Sequence, residues 1–247
     1  MTSILATAAR ALAHSEKIMD VVGHNLANVN TFGFKASRVL AEGAPAPGVA
    51  TGSARLDVAQ STSELVSRVG PVISSDNHLS VAIQDDAYFR VTDFDGAVSY
   101  TRFGQFDLDA ARNLVGFRGR ATVPPIQVPV GATRPAIDSS GSLTVIDANG
   151  NLISLGRLSI ARFVNPQGLE PQGDGLFRPG VNSGPITLGE AADESFAPLV
   201  TSALEGSNVE IAVEFASMLL AQRAYRASAQ TFKIGDQMLE AATNLTR

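Results

Sequence analysis

The sequence contains no cysteine and no tryptophan, only three histidines and three tyrosines. Nor does it hold an apolar run near the ~18 residues that a membrane-crossing helix needs. Without cysteine, disulfides, zinc–thiolate sites and thiol catalysis are excluded, which suits a secreted or periplasmic protein. His14, His24 and His78 are too scattered to assemble a metal site. His14 and His24 stand ten apart on one predicted helix and read as helix-surface or interface residues. A basic stripe is also missing: 19 Lys+Arg face 24 Asp+Glu, giving a net charge of −5, which argues against a nucleic-acid partner. No basic flank followed by an apolar run and a cleavage site opens the chain, so any export is expected to proceed without a cleaved signal peptide. Charged residues make up 17% and hydrophobic ones 45%, enough for a sizeable core in one large domain or two small ones.

What the sequence does have is a seven-residue repeat at each end. Leu204, Ile211, Met218, Tyr225, Phe232 and Leu239 recur at every seventh position, and the small residues Ala221, Ser228, Gly235 and Ala242 stand three further on. This spacing draws one narrow apolar seam along a helix, suited to lengthwise packing on another helix. Ser207-Asn208-Val209-Glu210 reads as a capping box at its start. A helix from there to near the chain end would be roughly 50–60 Å long. Leu219, Leu220, Ile234 and Met238 fall off the seam, which leaves more apolar surface than one partner helix covers. Residues 2–28 repeat the design, with Leu5, Leu12, Met19 and Leu26 in one series and Ala8, Ser15, Val22 and Val29 in the other. Two seamed helices at opposite ends predict that the ends pack together; ordinary amphipathic helices on a globular core are the alternative.

Asn25-Leu26-Ala27-Asn28-Val29-Asn30-Thr31-Phe32-Gly33-Phe34-Lys35 closes the first helix. Asn28 and Asn30 favour turn and cap conformations, Gly33 supplies a positive φ, and Phe34 with Phe32 can anchor the exit. From His78 the period changes to two: Leu79, Val81 and Ile83 alternate with Ser80, Ala82 and Gln84. Turn signals follow at Asp95-Gly96, Ser139-Ser140-Gly141 and Asn149-Gly150, the last predicted as a type I′ hairpin turn. The expected fold class is therefore α+β. Long N- and C-terminal helices pair as a coiled-coil-like domain, and an antiparallel all-β domain is inserted between them. The expected divisions are 1–40, helix and junction; 41–75, linker with short strands; 76–200, β-domain; and 201–247, C-terminal helix.

The Asn25–Lys35 run resembles the N-terminal signature of bacterial flagellar rod and hook proteins. Leu204-Glu205-Gly206-Ser207-Asn208-Val209, Gln222-Arg223-Ala224-Tyr225 and Asp236-Gln237-Met238-Leu239 resemble the matching C-terminal signature. Tyr88-Phe89-Arg90-Val91 and Tyr100-Thr101-Arg102-Phe103-Gly104 follow the pattern of the family's β-domain, although Asp85-Asp86-Ala87 stands where glycines are usual. The resemblance covers nearly the whole chain and is weakest over residues 40–75. It implies a structural, non-enzymatic subunit of the basal-body rod that polymerises as a helical homopolymer through its terminal helices. It also implies neighbouring rod, hook and ring proteins, and delivery by the flagellar type III export apparatus to the periplasm-spanning rod. The C-terminal runs look most like the distal-rod type, whereas the short stretch between Ala41 and Gly52 pulls toward the proximal type. On this reading the assembly seam is Leu5, Leu12, Met19, Leu26, Ile211, Met218, Tyr225, Phe232 and Leu239. The junction is set by Asn25, Asn28, Asn30, Gly33 and Phe34.

Candidate chemistry is sparse, and no catalytic residue, cofactor or metal ligand is assigned. Asp85, Asp86, Asp93, Asp95, Asp107 and Asp109 cluster in sequence, but without EF-hand spacing, and Asp95-Gly96 is better read as a turn. Ser61, Ser63 and Ser67 have no His/Asp partners in a motif for nucleophilic catalysis. The alternative function is a secreted β-domain protein that binds or hydrolyses glycans and is dimerised by its helices; the acidic turns are its sole support. A generic coiled-coil adaptor is a third option.

Overall fold

The computed structural model describes residues 2–45, 56–193 and 195–245. Part of the expected linker, 41–75, falls on residues 46–55, outside that set. The fold is α+β, as expected: two terminal helices pack together, and an antiparallel β region lies between them in sequence. The chain forms two compact units. One comprises residues 1–27, 37–64 and 209–247; the other comprises residues 28–36 and 65–208.

In the helical unit, α1 (Thr2–Ala27) runs antiparallel to α2 (Ile211–Leu245), with Leu5 against Gly235 and Asn25 against Glu214. The heptads explain the packing. On α1, Ala8, Ser15 and Val22 are buried while Leu5, Leu12, Met19 and Leu26 are half-buried beside them. On α2, Ala221 is only 3% exposed, and Glu214, Met218, Tyr225, Ser228, Gly235 and Leu239 form a half-buried stripe through it. Gly235 permits the approach: a Cβ there would stand 2.9 Å from Leu5 Cδ2. The strands Ser37–Pro45 and Leu56–Leu65 form a two-stranded sheet. It is tied to α1 by the His14 Nδ1–Ser61 Oγ hydrogen bond of 2.6 Å and by the Lys17 ammonium on the Ser61 carbonyl.

In the second unit the strand Ala87–Thr92 is central. It pairs with Val98–Thr101, Ser159–Phe163 and Ala121–Thr122, all antiparallel. Its period of two sends Phe89 into a core with Phe106, Leu143 and Ile160, and sends Tyr88 into a second core with Tyr100, Phe163 and Phe177. Edge-to-face rings knit both cores, with Phe89–Phe106 at 5.3 Å and Tyr100–Phe163 at 4.9 Å between centroids. A separate three-stranded sheet holds Thr133–Ile137, Ser142–Ile146 and Leu152–Arg157.

Two expectations are corrected. Leu204 is not part of the C-terminal helix: it lies in the strand Ala203–Glu205, paired with Ile73, and the helix begins at Ile211. Extended backbone is needed there because Gly206 N–H donates to the Pro71 carbonyl (2.7 Å) and the Asn208 side chain is engaged elsewhere in the unit. The first helical hydrogen bond runs from Glu214 N–H to the Glu210 carbonyl. The second correction is the Asn149-Gly150 turn, which is not type I′. Gly150 has φ 83°, but Asn149 is not among the residues with positive φ. The Asp147 carboxylate accepts the N–H groups of Asn149 and Asn151 (both 2.8 Å), which favours a four-residue turn with a left-handed closing position.

That turn recurs. At Asp93, Asp109, Asp138 and Asp147, the aspartate N–H donates to the carbonyl four residues on, and its carbonyl accepts from the residue three on. The residue in that third place is left-handed each time: Gly96, Arg112, Gly141 and Gly150. The carboxylates of Asp93, Asp109 and Asp147 are held below the ordinary range. The leading causes are the Phe94 amide, the Asn113 side chain and the Asn151 amide, respectively. Two of the six clustered aspartates, Asp93 and Asp109, thus anchor turns. Among the described residues no group of His, Cys, Asp or Glu has the geometry of a metal site.

Candidate functional site

Two polar hubs sit on the chain segments that enter and leave the helices. The first is Asn25, at the last turn of α1 and 1% exposed. Its Oδ1 accepts the Ser37 N–H at 3.0 Å, and its Nδ2 donates to the Ser37 carbonyl at 2.8 Å and to Glu214 Oε1 at 2.9 Å. One amide thereby joins the end of α1, the first residue of a strand and the first turn of α2. Burial raises the Glu214 carboxyl above its ordinary value, and the Asn25 hydrogen bond only partly offsets this.

The second hub lies in the β unit and is made of Lys35, Arg102 and Glu205, with the paired side chains about 1% exposed. Lys35 Nζ meets Glu205 Oε1 at 2.8 Å, and Arg102 Nε meets Oε2 at 2.7 Å. Gly70 N–H adds a third donor at 2.8 Å. The remaining Lys35 protons go to the Arg68 and Ser67 carbonyls, and Arg102 donates to the carbonyls of Ile83, Asp85 and Ala87. Burial is the largest influence on Glu205 and pushes it up, but Arg102 and Lys35 outweigh it and hold the carboxylate ionised. Lys35 is lowered to about 8, first by burial and then by the like charge of Arg102. Tyr88, whose ring lies 5.6 Å from the Arg102 guanidinium, is pushed up to about 12 by burial.

Backbone bonds complete this hub. Gly33 N–H donates to the Glu205 carbonyl at 2.7 Å. Gly33 has φ 67°, and a Cβ on it would sit 2.8 Å from Arg102 C and Phe103 N, so both conformation and space require glycine. Asn208 Oδ1 accepts the Ala36 N–H at 2.7 Å, while its amide donates to Val66 and Arg68. Of the sequence-predicted junction residues, Asn28 accepts from the Thr31 N–H and hydroxyl, Asn30 is exposed, and Phe34 is half-buried. Sequence reasoning placed Asn25 at the junction but did not single out Lys35, Arg102, Glu205, Asn208 or Glu214 as site residues. The first four sit inside the motifs quoted above, which was the one available signal.

The expected seam positions divide in two. Met218, Tyr225 and Leu239 lie in the half-buried stripe of α2, whereas Ile211 and Phe232 are exposed. The off-seam residues Leu219, Leu220, Ile234 and Met238 are exposed, together with Val213 and Phe215. Leu220 is 65% exposed, so the half-buried stripe leaves a large apolar flank of α2 uncovered.

A helical unit made from both chain ends, with a β unit formed by the sequence between them, matches the build that the resemblance to bacterial flagellar rod and hook proteins implies. Family models agree along the chain: "Flagella basal body rod protein" over residues 5–35, "Flagellar hook protein FlgE/F/G D1 domain" over 82–145, and "Flagellar basal body rod FlgEFG protein C-terminal" over 200–245. The FlgG basal-body rod protein of Borreliella burgdorferi is 33% identical over the full length of both chains, and that of Bacillus subtilis is 32% identical over 93% of each. The flagellar hook protein FlgE of Rhizobium meliloti is 38% identical over 45% of this chain and 27% of its own. The chain belongs to the flagellar basal-body rod protein family, of the FlgG type.

Proposed function

We propose that this chain is a structural subunit of the flagellar basal-body rod, of the distal type, that polymerises through its helical unit. The observation that carries this reading is the uncovered flank of α2. Val213, Leu220, Ala227, Ile234 and Ala241 recur every seventh position, with Ser217, Ala224, Thr231 and Met238 four further on, and all but Ser217 are exposed. This is a second seven-residue repeat that flanks the half-buried stripe through Ala221. α1 turns outward a stripe of small residues, Ala6, Ala9, Ala13, Gly23 and Ala27, interrupted by exposed Glu16 and Asp20. Exposed Arg223, Arg226 and Lys233 on α2 supply the opposite charge. The α2 flank of one copy seats on the α1 stripe of the next. A contact between two different surfaces propagates as a helix instead of closing, which gives a tube.

Neighbouring rod, hook and ring proteins extend the same axis at either end. The subunit travels through the flagellar type III export apparatus to the periplasm-spanning rod. Its role is mechanical, passing torque outward, and it carries no catalysis. The glycan-binding alternative loses most of its support, because Asp93 and Asp109 anchor turns while Asp85 pairs with Arg162 and Asp95 with Arg178. Among the described residues no helix is long and apolar enough to cross a membrane.

The test is Leu220→Lys and Ile234→Lys in the full chain. Circular dichroism should show unchanged helicity at low concentration. Sedimentation should show loss of polymer, and cells carrying either variant should not swim. Polymerisation and swimming at the wild-type level would overturn the reading.

A further inference from the structure

The geometry of the second hub points to an order of closure: the C-terminal strand Ala203–Glu205 docks first, and the N-terminal segment 28–36 docks only onto the completed strand. Arg102 is held by the carbonyls of Ile83, Asp85 and Ala87, which belong to the β unit's own chain. When Ala203–Glu205 pairs with Val72–Ser74, Glu205 meets Arg102 and Gly70 N–H, and the result is a neutral buried pair. Lys35 is not needed for that balance. The reverse order fails. Lys35 brought to the same place without Glu205 would set a second cation beside Arg102 with no shared carboxylate, and uncompensated buried charge is strongly disfavoured.

Backbone bonding runs the same way. Segment 28–36 takes Gly33 N–H to the Glu205 carbonyl, Lys35 to the Glu205 carboxylate and Ala36 N–H to Asn208 Oδ1. All three acceptors lie on residues 205–208; the segment's bonds to residues 66–68, Val66 N–H on the Ala36 carbonyl and Lys35 on the Ser67 and Arg68 carbonyls, leave the Gly33 and Ala36 N–H groups still to be paired. The C-terminal strand has a footing of its own: its ladder on Val72–Ser74, Gly206 N–H on the Pro71 carbonyl, and the Asn208 amide on Val66 and Arg68. Because a chain is made from its N-terminus, the segment that follows α1 cannot complete its docking until residues through Asn208 exist. The junction thus delays its own closure until nearly the whole chain is present.

Hydrogen exchange on the full-length protein tests this with Lys35→Met, Glu205→Gln and the double variant. Lys35→Met should speed exchange at Gly33 and Ala36 about tenfold or more while leaving the Val72–Ser74/Ala203–Glu205 ladder unchanged. Glu205→Gln should open Gly33 and Ala36 at least as far. The double variant, relieved of one of the two facing cations, should be better protected than Glu205→Gln, up to the level of Lys35→Met. Equal opening of ladder and segment in Lys35→Met would overturn the order, as would a double variant no better protected than Glu205→Gln. If Glu205→Gln does not fold, a folded double variant supports the order and an unfolded one counts against it, with the Lys35→Met result deciding independently.

Discussion

The Asn25 side chain holds both backbone groups of Ser37, accepting its N–H at 3.0 Å and donating to its carbonyl at 2.8 Å. A side-chain amide here does what a neighbouring strand would do, and it does so at the point where the chain leaves a helix for a strand. Asn25→Asp keeps the acceptor but sets a carboxylate against the Ser37 carbonyl and Glu214 Oε1. Asn25→Leu removes both functions. Each change should cost about 2–4 kcal/mol, from buried groups left unpaired. Urea unfolding followed by far-UV circular dichroism checks this, and a loss below about 0.5 kcal/mol would contradict the geometry.

Gly33→Ala should be more damaging than its size suggests. The left-handed φ of 67° and the 2.8 Å approach to the Arg102 and Phe103 backbone act together. The expected cost is about 3 kcal/mol or more. Thermal unfolding of the variant against the parent is the measurement.

Gly235 makes the opposite case. The atom nearest an added Cβ is the tip of Leu5, which can turn, and α2 gains helix propensity of about 1 kcal/mol from alanine. Gly235→Ala should therefore be neutral or stabilising, whereas Gly235→Phe should separate the helices. Chemical denaturation of both variants distinguishes them.

Lys35 fixes the sign of an alkaline dependence. The unfolded chain keeps this proton to 10.5, while the folded chain releases it near 8. Between these values the unfolded state binds more protons, so rising pH favours folding. Parent stability minus that of Lys35→Met should increase from about pH 8 to about 10.5 and be flat on either side. Glu205 acts at the acid end. Its folded value is depressed, so its contribution is present above 4.5 and lost as pH falls below that value. A flat alkaline difference would show that Lys35 is not buried as described.

The helices were legible because a seven-residue repeat is a local signal that survives without knowledge of the partner. Ala221 and Gly235 lie where that repeat put them, between α1 and α2. The same signal misled at Leu204, which continues the period but is claimed by the strand pairing with Ile73. The Asn149-Gly150 dipeptide suggested a turn type that Asp147, two residues earlier, overrules through its carboxylate. The Lys35–Arg102–Glu205 hub was not legible. Each residue lies in a motif that drew notice, but charge pairing across such sequence distances leaves no period behind. Only the fold shows that one carboxylate serves both cations.

α1 has 26 residues and α2 has 35. With Leu5 against Gly235 and Asn25 against Glu214, the last two turns of α2 run beyond the start of α1. A pair of turns is too short to hold helical form in water unaided. Those turns are propagated from the paired portion below them, and whatever lies alongside decides how firmly they hold. The unequal lengths thus leave one helix of the pair protruding past the other at a single end, and give the helical unit a direction.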